Sequence, residues 1–201
     1  MVSSLRLLRW FSVFAPKFAL DQNVAQVPVN LQPELGSSIF SFSSLVSGSP
    51  FVSLFYCDGA FSLANGKAAA AVAMFNSSCA LIDGVADQVG ARSVLGTEAF
   101  AIRTACLLGS IRGCQESIIC SDSKRVIELS SWDLKPPWEI AAIIDYIRAI
   151  EANRSVKFIF IPRNCNFVAH WVLQASIRGD LPVNWVSSPP SRLQCLISKL
   201  M

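Results

Sequence analysis

Short apolar runs separated by turn-forming residues dominate the chain from residue 52 onward. Three of these runs, at 52–57, 68–75 and 80–85, have the length of strands, and turn residues at 65–66 and 76–78 separate them. Consecutive short strands joined by tight turns are typical of an antiparallel meander. The first part of this region is therefore predicted to form three antiparallel strands.

Segments with helical periodicity alternate with further strands after this meander. Thr97 is predicted to cap a helix over 98–112 that ends at Gly113. Small and apolar side chains share one face of it: Ile102, Ala105, Cys106 and Gly109. The later elements are a strand at 117–120, a short helix to Leu129, a helix over about 138–150, a strand at 156–161 and a last helix that Asn166 caps. This order predicts an α/β fold, with a mixed five-stranded sheet and helices on both of its faces.

Composition limits the class of protein. With 201 residues, 52% of them hydrophobic and 15% charged, the chain suits one domain with a buried core plus an appendage. The net charge of +3 is too small to identify a nucleic-acid binder by itself. The seven cysteines are an odd number without a Cys-x-x-Cys pair, which disfavours a zinc site or a disulfide framework and suits a reducing compartment.

The two ends of the chain differ from its middle. Residues 1–50 are predicted to be a leader and linker, with a Ser- and Gly-rich stretch at 37–49, before a domain at 51–180. The beginning resembles an acid-poor transit peptide, since three basic residues precede the first acidic one: Arg6, Arg9, Lys17 and then Asp21. A fragment left by imperfect gene prediction or retroelement decay is the alternative. The compartment stays open between nucleus, cytoplasm and mitochondrion, and residues 181–201 are predicted to be an irregular tail.

Three acidic residues lie where apolar runs end or a helix begins: Asp58, Glu98 and Asp122. A carboxylate at the end of a buried strand is costly unless a positive charge meets it. A divalent metal ion held by three converging carboxylates would supply that charge and would suit chemistry on phosphodiesters.

Each of these residues also has a simpler interpretation. Asp58 with Gly59 is a common hairpin turn. Asp122 is placed where it could cap a helix. Glu98, in the first turn of a predicted helix, would be stabilised by the helix dipole without any metal.

Four segments, taken in order, resemble a known family. They are Cys-Asp-Gly-Ala at 57–60, Thr-Glu-Ala-Phe-Ala at 97–101, Ser-Asp-Ser-Lys at 121–124 and Pro-Arg-Asn-Cys-Asn-Phe-Val-Ala-His-Trp-Val-Leu at 162–173. This series resembles the ribonuclease H-like domains that are abundant in plant genomes and look related to the ribonuclease H portion of retrotransposon polyproteins. The resemblance covers about residues 52–178.

The resemblance implies the ribonuclease H fold, in which the ends of the first and fourth strands lie side by side. It also implies a site with two Mg²⁺ ions, or Mn²⁺ in their place. Asp58 would bridge the ions, Glu98 would hold the leaving-group side and Asp122 the nucleophile side. The expected activity is endonucleolytic hydrolysis of the RNA strand of an RNA–DNA hybrid.

His170 departs from the pattern of active ribonucleases H, which have a fourth carboxylate at this place. It is the only histidine of the chain. As a candidate catalytic residue it would coordinate a metal weakly or shuttle a proton. The alternative is an ordinary surface or packing residue. Lys67 and the alanines at 68–71 also stand where the family tends to have glycines.

Four residues are candidates for nucleic-acid contact: Lys124, Arg125, Arg163 and Asn166. The expected partner is an RNA–DNA hybrid or RNA, bound by a monomer without membrane association. Two other classes stay open, namely a catalytically inactive ribonuclease H-fold remnant that binds nucleic acid, and a protein-interaction module.

Overall fold

The computed structural model describes residues 51–152 and 154–201, so the predicted leader and linker at 1–50 lie outside the described residues. The strands are β1 (Val52–Phe61), β2 (Ala68–Phe75), β3 (Leu81–Gln88), β4 (Glu116–Ser121) and β5 (Ser155–Phe160). The helices are α1 (Val94–Ile111), α2 (Lys124–Ser131), α3 (Ala141–Glu151), α4 (Phe167–Arg178) and α5 (Ser191–Ile197), and a short 3-10 turn at Arg163–Cys165 precedes α4.

The strands form one sheet in the order β3-β2-β1-β4-β5. The β1–β2 and β2–β3 pairs are antiparallel, whereas the β1–β4 and β4–β5 pairs are parallel. The predicted mixed sheet, with three antiparallel strands first and the first and fourth strands side by side, is confirmed.

Both faces of the sheet are covered because the side chains of the central strand alternate between two apolar clusters. Leu54 and Tyr56 of β1 pack with α4 and α5, while Phe55 and Cys57 pack with α1, α2 and α3. A strand buried on both faces reads as a nearly continuous apolar run, and in residues 52–57 only Ser53 interrupts it. The prediction of helices on both faces is confirmed.

The start of α1 differs from the prediction. The helix begins at Val94 and its N-cap is Ser93, whose hydroxyl accepts a hydrogen bond from the Gly96 N–H. Thr97 is buried inside the helix, and its hydroxyl donates to the Val94 carbonyl at 2.7 Å. The prediction of Thr97 as the cap was wrong, because two Ser/Thr candidates lie within one turn and the earlier one is used. Gly113 ends the helix as predicted, with a left-handed φ of 66°.

The prediction of an irregular tail at 181–201 was also wrong. α5 lies within it, and Trp185, Leu193 and Leu200 are buried in the cluster around α4. Trp185 packs over β3, where the Cβ of any larger residue at Gly84 would meet its ring. The domain therefore continues past residue 180 and includes this segment.

Within the described residues, α1 alone is long and apolar enough to cross a membrane by length and composition. In this fold the apolar side chains of α1 belong to the core, because the helix packs on β1 and β2.

Candidate active site

The parallel pairing of β1 with β4 brings Asp58 and Asp122 together. The last paired residues of the two strands are Cys57 and Ser121. Asp58 and Asp122 each follow directly, so they occupy equivalent positions where the parallel pairing of β1 with β4 ends. The two carboxylates are adjacent because the register of the sheet places them so.

Glu98 reaches the same part of β1 from α1. The helix approaches the strand at Gly59, where the absence of a side chain lets the backbone of Thr97 and Glu98 come close. The Gly59 N–H donates a hydrogen bond to the Glu98 carboxylate. A glycine next to Asp58 is therefore a condition for bringing the third carboxylate to the other two.

One ligand oxygen from each of Asp58, Glu98 and Asp122 lies within 4.8 Å of the others. Asp58 and Glu98 are buried. Burial raises the pKa of Glu98 to about 9, and repulsion from the Asp58 and Asp122 carboxylates acts in the same direction. Burial also raises the pKa of Asp58, although the hydrogen bond with His170 opposes that shift. Burial and the close approach of the three carboxyl groups thus disfavour full ionisation of the cluster in the metal-free protein.

The simpler interpretations of the three acids do not fit the structure. β1 continues to Phe61, so Asp58 is paired within the strand and is not part of a hairpin turn. The cap position of α2 is Ser123, without a side-chain capping bond. Glu98 lies in the second turn of α1, beyond the terminus where the dipole acts most strongly.

Asn166 has a different place from the one predicted. It occupies the position before α4, yet its side chain makes no capping bond and is fully buried. Its amide N–H₂ donates to the Cys57 carbonyl at 2.8 Å and to Oδ1 of Asp122 at 3.0 Å. A residue without exposed surface cannot contact nucleic acid, so that assignment is corrected. Asn166 instead ties α4 to the ends of β1 and β4, a role that no local sequence pattern indicates.

His170, in the first turn of α4, faces the site. Its Nδ1 lies 2.9 Å from Oδ2 of Asp58. The histidine side chain is 40% exposed, whereas that of Asp58 is 3% exposed. The structure therefore places the only histidine of the chain at the edge of the acidic cluster, in contact with one of its members.

The remaining predicted contacts are basic side chains around the cluster. Arg163 is 73% exposed, and its Nη1 lies 3.8 Å from Oδ2 of Asp122. Lys124 and Arg125 are exposed in the first turn of α2, where they form ion pairs with Glu128 at 4.0 Å and 3.8 Å. Arg163 adjoins the carboxylates directly, while Lys124 and Arg125 follow Asp122 in the chain by two and three residues.

The donor set fits a divalent cation. Three carboxylates converge from two strands and a helix, and Oε2 of Glu98 is buried without a hydrogen-bond partner among the described residues. Hard cations such as Mg²⁺ prefer carboxylate oxygens. A cation at this position would both occupy the unpaired oxygen and neutralise the repulsion that raises the pKa of Glu98.

Solved structures share this fold. RNase H1 from the halophilic archaeon Halobacterium salinarum aligns with a TM-score of 0.58 at 18% identity, covering 64% of this chain and 98% of that chain. The N-terminal RNase H domain of a Mycobacterium tuberculosis protein aligns with a TM-score of 0.55 at 18% identity, covering 64% and 97%. LC11-RNase H1, isolated from compost, was solved with an RNA/DNA hybrid; it aligns with a TM-score of 0.56 at 19% identity, covering 65% and 99%.

The family comparison covers the same part of the chain. No curated protein matches the chain significantly. Residues 56–176, more than half of the chain, match the model of a family described as reverse transcriptase-like. This segment includes Asp58, Glu98, Asp122 and His170. The chain therefore belongs to the reverse transcriptase-like family, and its domain has the RNase H-like fold.

Proposed function

We propose that this domain is a metal-dependent endoribonuclease that hydrolyses the RNA strand of RNA–DNA hybrids. The observation that carries the proposal is the convergence of Asp58, Glu98 and Asp122 within 4.8 Å, beside the point where the parallel pairing of β1 with β4 ends. The LC11 relative in complex with an RNA/DNA hybrid supports the choice of substrate. Mg²⁺ is the proposed physiological cation, with Mn²⁺ as a substitute, because carboxylate oxygens suit both ions.

The three carboxylates would hold the cation, which when bound supplies Lewis acidity for attack of water on a phosphodiester. Asp58 and Glu98 contribute charges in a buried setting, where electrostatic interactions are stronger than in water. The side-chain amide of Asn166 holds Asp122 in position by donating a hydrogen bond to its carboxylate. His170 stays partly exposed beside Asp58, where it can accept or donate a proton at the solvent boundary.

Basic residues around the cluster are proposed to bind the phosphate backbone. Arg163 is exposed next to Asp122, and Lys124 and Arg125 are exposed in the turn that follows it. Their ion pairs with Glu128 and Asp122 are 3.8–4.0 Å long and the three basic side chains are exposed, so these side chains can turn to a phosphate group. All of these residues belong to one chain, which supports action as a monomer.

The proposed origin is a retroelement, as in the plant domains that the four segments resemble. The match to the reverse transcriptase-like family supports this origin. A second candidate function is binding of a hybrid without cleavage. His170 favours it, because an imidazole stands where active relatives are expected to have a fourth carboxylate and so removes one negative charge from the cation site.

A cleavage assay separates the two functions. A labelled RNA–DNA hybrid, incubated with the full chain and either Mg²⁺, Mn²⁺ or EDTA, should be cut only in the presence of a cation, while double-stranded DNA and single-stranded RNA stay intact. Glu98→Gln and Asp122→Asn should abolish cleavage. Asp145→Asn, an exposed change on α3, is the matched control for loss of one acidic charge.

Cleavage that survives Glu98→Gln and Asp122→Asn would contradict the nuclease assignment to this site. Hybrid binding without cleavage under both cations would decide for the binding module.

A further inference from the structure

The two outermost strands of the sheet, β3 and β5, differ in how their free edges are covered. An edge strand presents backbone N–H and C=O groups to which an extended peptide can add as a further strand. We propose that β5 binds an extended, acidic segment of a partner protein in this way. Neither the carboxylate cluster nor a cation takes part, so the interaction is independent of the proposed function.

The pairing of β5 with β4 shows which backbone groups point away from the sheet. The Ile161 N–H donates to the Ser121 carbonyl. Because alternate residues of a parallel strand face the same neighbour, the N–H and C=O groups of Val156, Phe158 and Phe160 face outward. Within the described residues, these outward groups have no hydrogen-bond partner.

The opposite edge, at β3, is covered by the chain itself. By the register of β2 with β3, the backbone groups of Gly84 and Ala86 face outward. The Gly84 N–H donates to Oδ1 of Asp83 at 2.8 Å, and the Ala86 carbonyl accepts from the Ser176 hydroxyl at 3.4 Å. The Trp185 ring also lies against Gly84. Side chains thus occupy outward groups at β3.

β5 has few of the features that block the addition of a strand. Natural edge strands are blunted by bulges, prolines and charged residues. β5 pairs with β4 over all six residues without a register shift, and none of the six is proline. None of them is buried, and the Phe160 side chain is 41% exposed. An extended segment therefore has access to the outward backbone groups.

The charge around β5 identifies the kind of segment that fits. Lys157 is the only charged residue of the strand, and Arg163 follows it with its side chain 73% exposed. α2, which packs beside β5, carries exposed Lys124 and Arg125, whose charge Glu128 offsets in part. A second copy of the chain would bring the same positive side chains to the edge. Electrostatic complementarity instead favours an acidic segment.

Two synthetic peptides test the interaction with the full chain. A fluorescein-labelled peptide of alternating valine and glutamate should bind, as measured by fluorescence anisotropy, whereas the matched peptide of alternating valine and lysine should not. Hydrogen exchange followed by NMR should locate the bound peptide. The amides of Val156, Phe158 and Phe160 should exchange more slowly when the acidic peptide is added, while the amide of Gly84 should not change.

Two substitutions test the backbone and the charge separately. Phe160→Pro removes one outward N–H, a change that sheet edges tolerate, and should weaken binding of the acidic peptide about fivefold or more. Gln88→Pro removes an outward N–H of β3 and should leave binding unchanged. Lys157→Glu should reverse the preference between the two peptides even if Phe160→Pro fails to fold. Lys199→Glu, an exposed change after α5, should not reverse it.

Four results would overturn the assignment of β5 to an acidic partner. They are no binding of the acidic peptide, equal binding of both peptides, binding without protection of the β5 amides, and a preference that Lys157→Glu does not alter. Protection that grows with protein concentration in the absence of peptide would assign the edge to a second copy and would also overturn it. Hybrid cleavage is measured separately, so none of these results decides the nuclease proposal.

Discussion

Gly59 and Glu98 meet backbone to backbone. A Cβ atom on Gly59 would lie 2.7 Å from the nitrogen of Glu98 and 2.5 Å from the carbonyl carbon of Thr97. The strand and the helix thus approach each other more closely than any residue except glycine allows. This contact sets the distance between the carboxylates of Asp58 and Glu98, because each belongs to one of the two elements.

Substitution of Gly59 by alanine should therefore affect both stability and the site. Gly59→Ala forces the start of α1 away from β1 and should lower the free energy of unfolding by about 1–3 kcal/mol, the usual cost of overpacking. Displacement of Glu98 should also weaken Mn²⁺ binding. Urea denaturation and a Mn²⁺ titration measure the two effects.

Gly90→Ala is the matched control for this change, since a Cβ at Gly90 meets no atom within 4 Å. It should leave both quantities nearly unchanged. A Gly59→Ala protein as stable as the native chain would contradict the close approach of α1 to β1.

The stability of the metal-free protein should fall as the pH rises. The pKa of Glu98 in the folded state is about 9, raised from 4.5, so between these values the folded state holds a proton that the unfolded state has lost. The free energy of unfolding then decreases with increasing pH, by at most about 1.4 kcal/mol per pH unit. The raised pKa of Asp58 acts in the same direction.

Urea denaturation in EDTA at several pH values between 5 and 9 measures this slope. Glu98→Gln should flatten it, whereas Glu116→Gln, an exposed change at the start of β4, should not. If the free energy of unfolding of the native chain instead rose with pH, the cluster would already be neutralised within the protein.

The apolar pattern and the turn residues were enough to predict the sheet and its helices, and the acids at strand ends were enough to predict their proximity. The role of Asn166 could not be predicted from the sequence, because its partners Cys57 and Asp122 are distant along the chain. No local pattern distinguishes it from a helix cap. α5 has seven residues, too few for a periodic pattern, and the prolines before it indicated an irregular segment. Its burial depends on a tertiary contact with α4 that the sequence does not display.

The C-terminal segment should be necessary for the fold. Removal of residues 181–201 takes Trp185, Leu193 and Leu200 out of the core and exposes α4. The truncated chain should unfold at a much lower urea concentration or fail to express in soluble form. Leu193→Ala alone should cost about 2–5 kcal/mol, because Leu193 is fully buried. Met201→Ala, an exposed change, should cost almost nothing. A truncated chain with native stability would show that the domain ends near residue 180.

Residues 1–46 should be dispensable. β1 begins at Val52, and the segment before it has the composition of a linker. A chain that begins at Ser47 should show the same cooperative unfolding transition as the full chain, measured by circular dichroism in urea. Loss of soluble expression, or a lower transition midpoint, would mean that the beginning of the chain contributes to the core.

Replacement of His170 by aspartate should strengthen Mg²⁺-dependent activity. The side chain of residue 170 already contacts Asp58, so His170→Asp adds a fourth carboxylate at the edge of the cluster. Mg²⁺ should bind more tightly, because the added charge and oxygen ligand suit this ion. Hybrid cleavage in Mg²⁺ should increase with it, as measured by initial rates on a labelled hybrid.

Asp122→Asn tests whether the increased activity of the His170→Asp variant arises at the same site. Asp122→Asn should abolish cleavage in both the native and the His170→Asp background, because it removes a direct ligand of the proposed cation. If His170 were an ordinary surface residue, its change to aspartate would alter stability by only a few tenths of a kcal/mol. Unchanged Mg²⁺ binding together with unchanged cleavage would exclude residue 170 from the site, since a carboxylate next to Asp58 cannot join a cation site without changing its affinity.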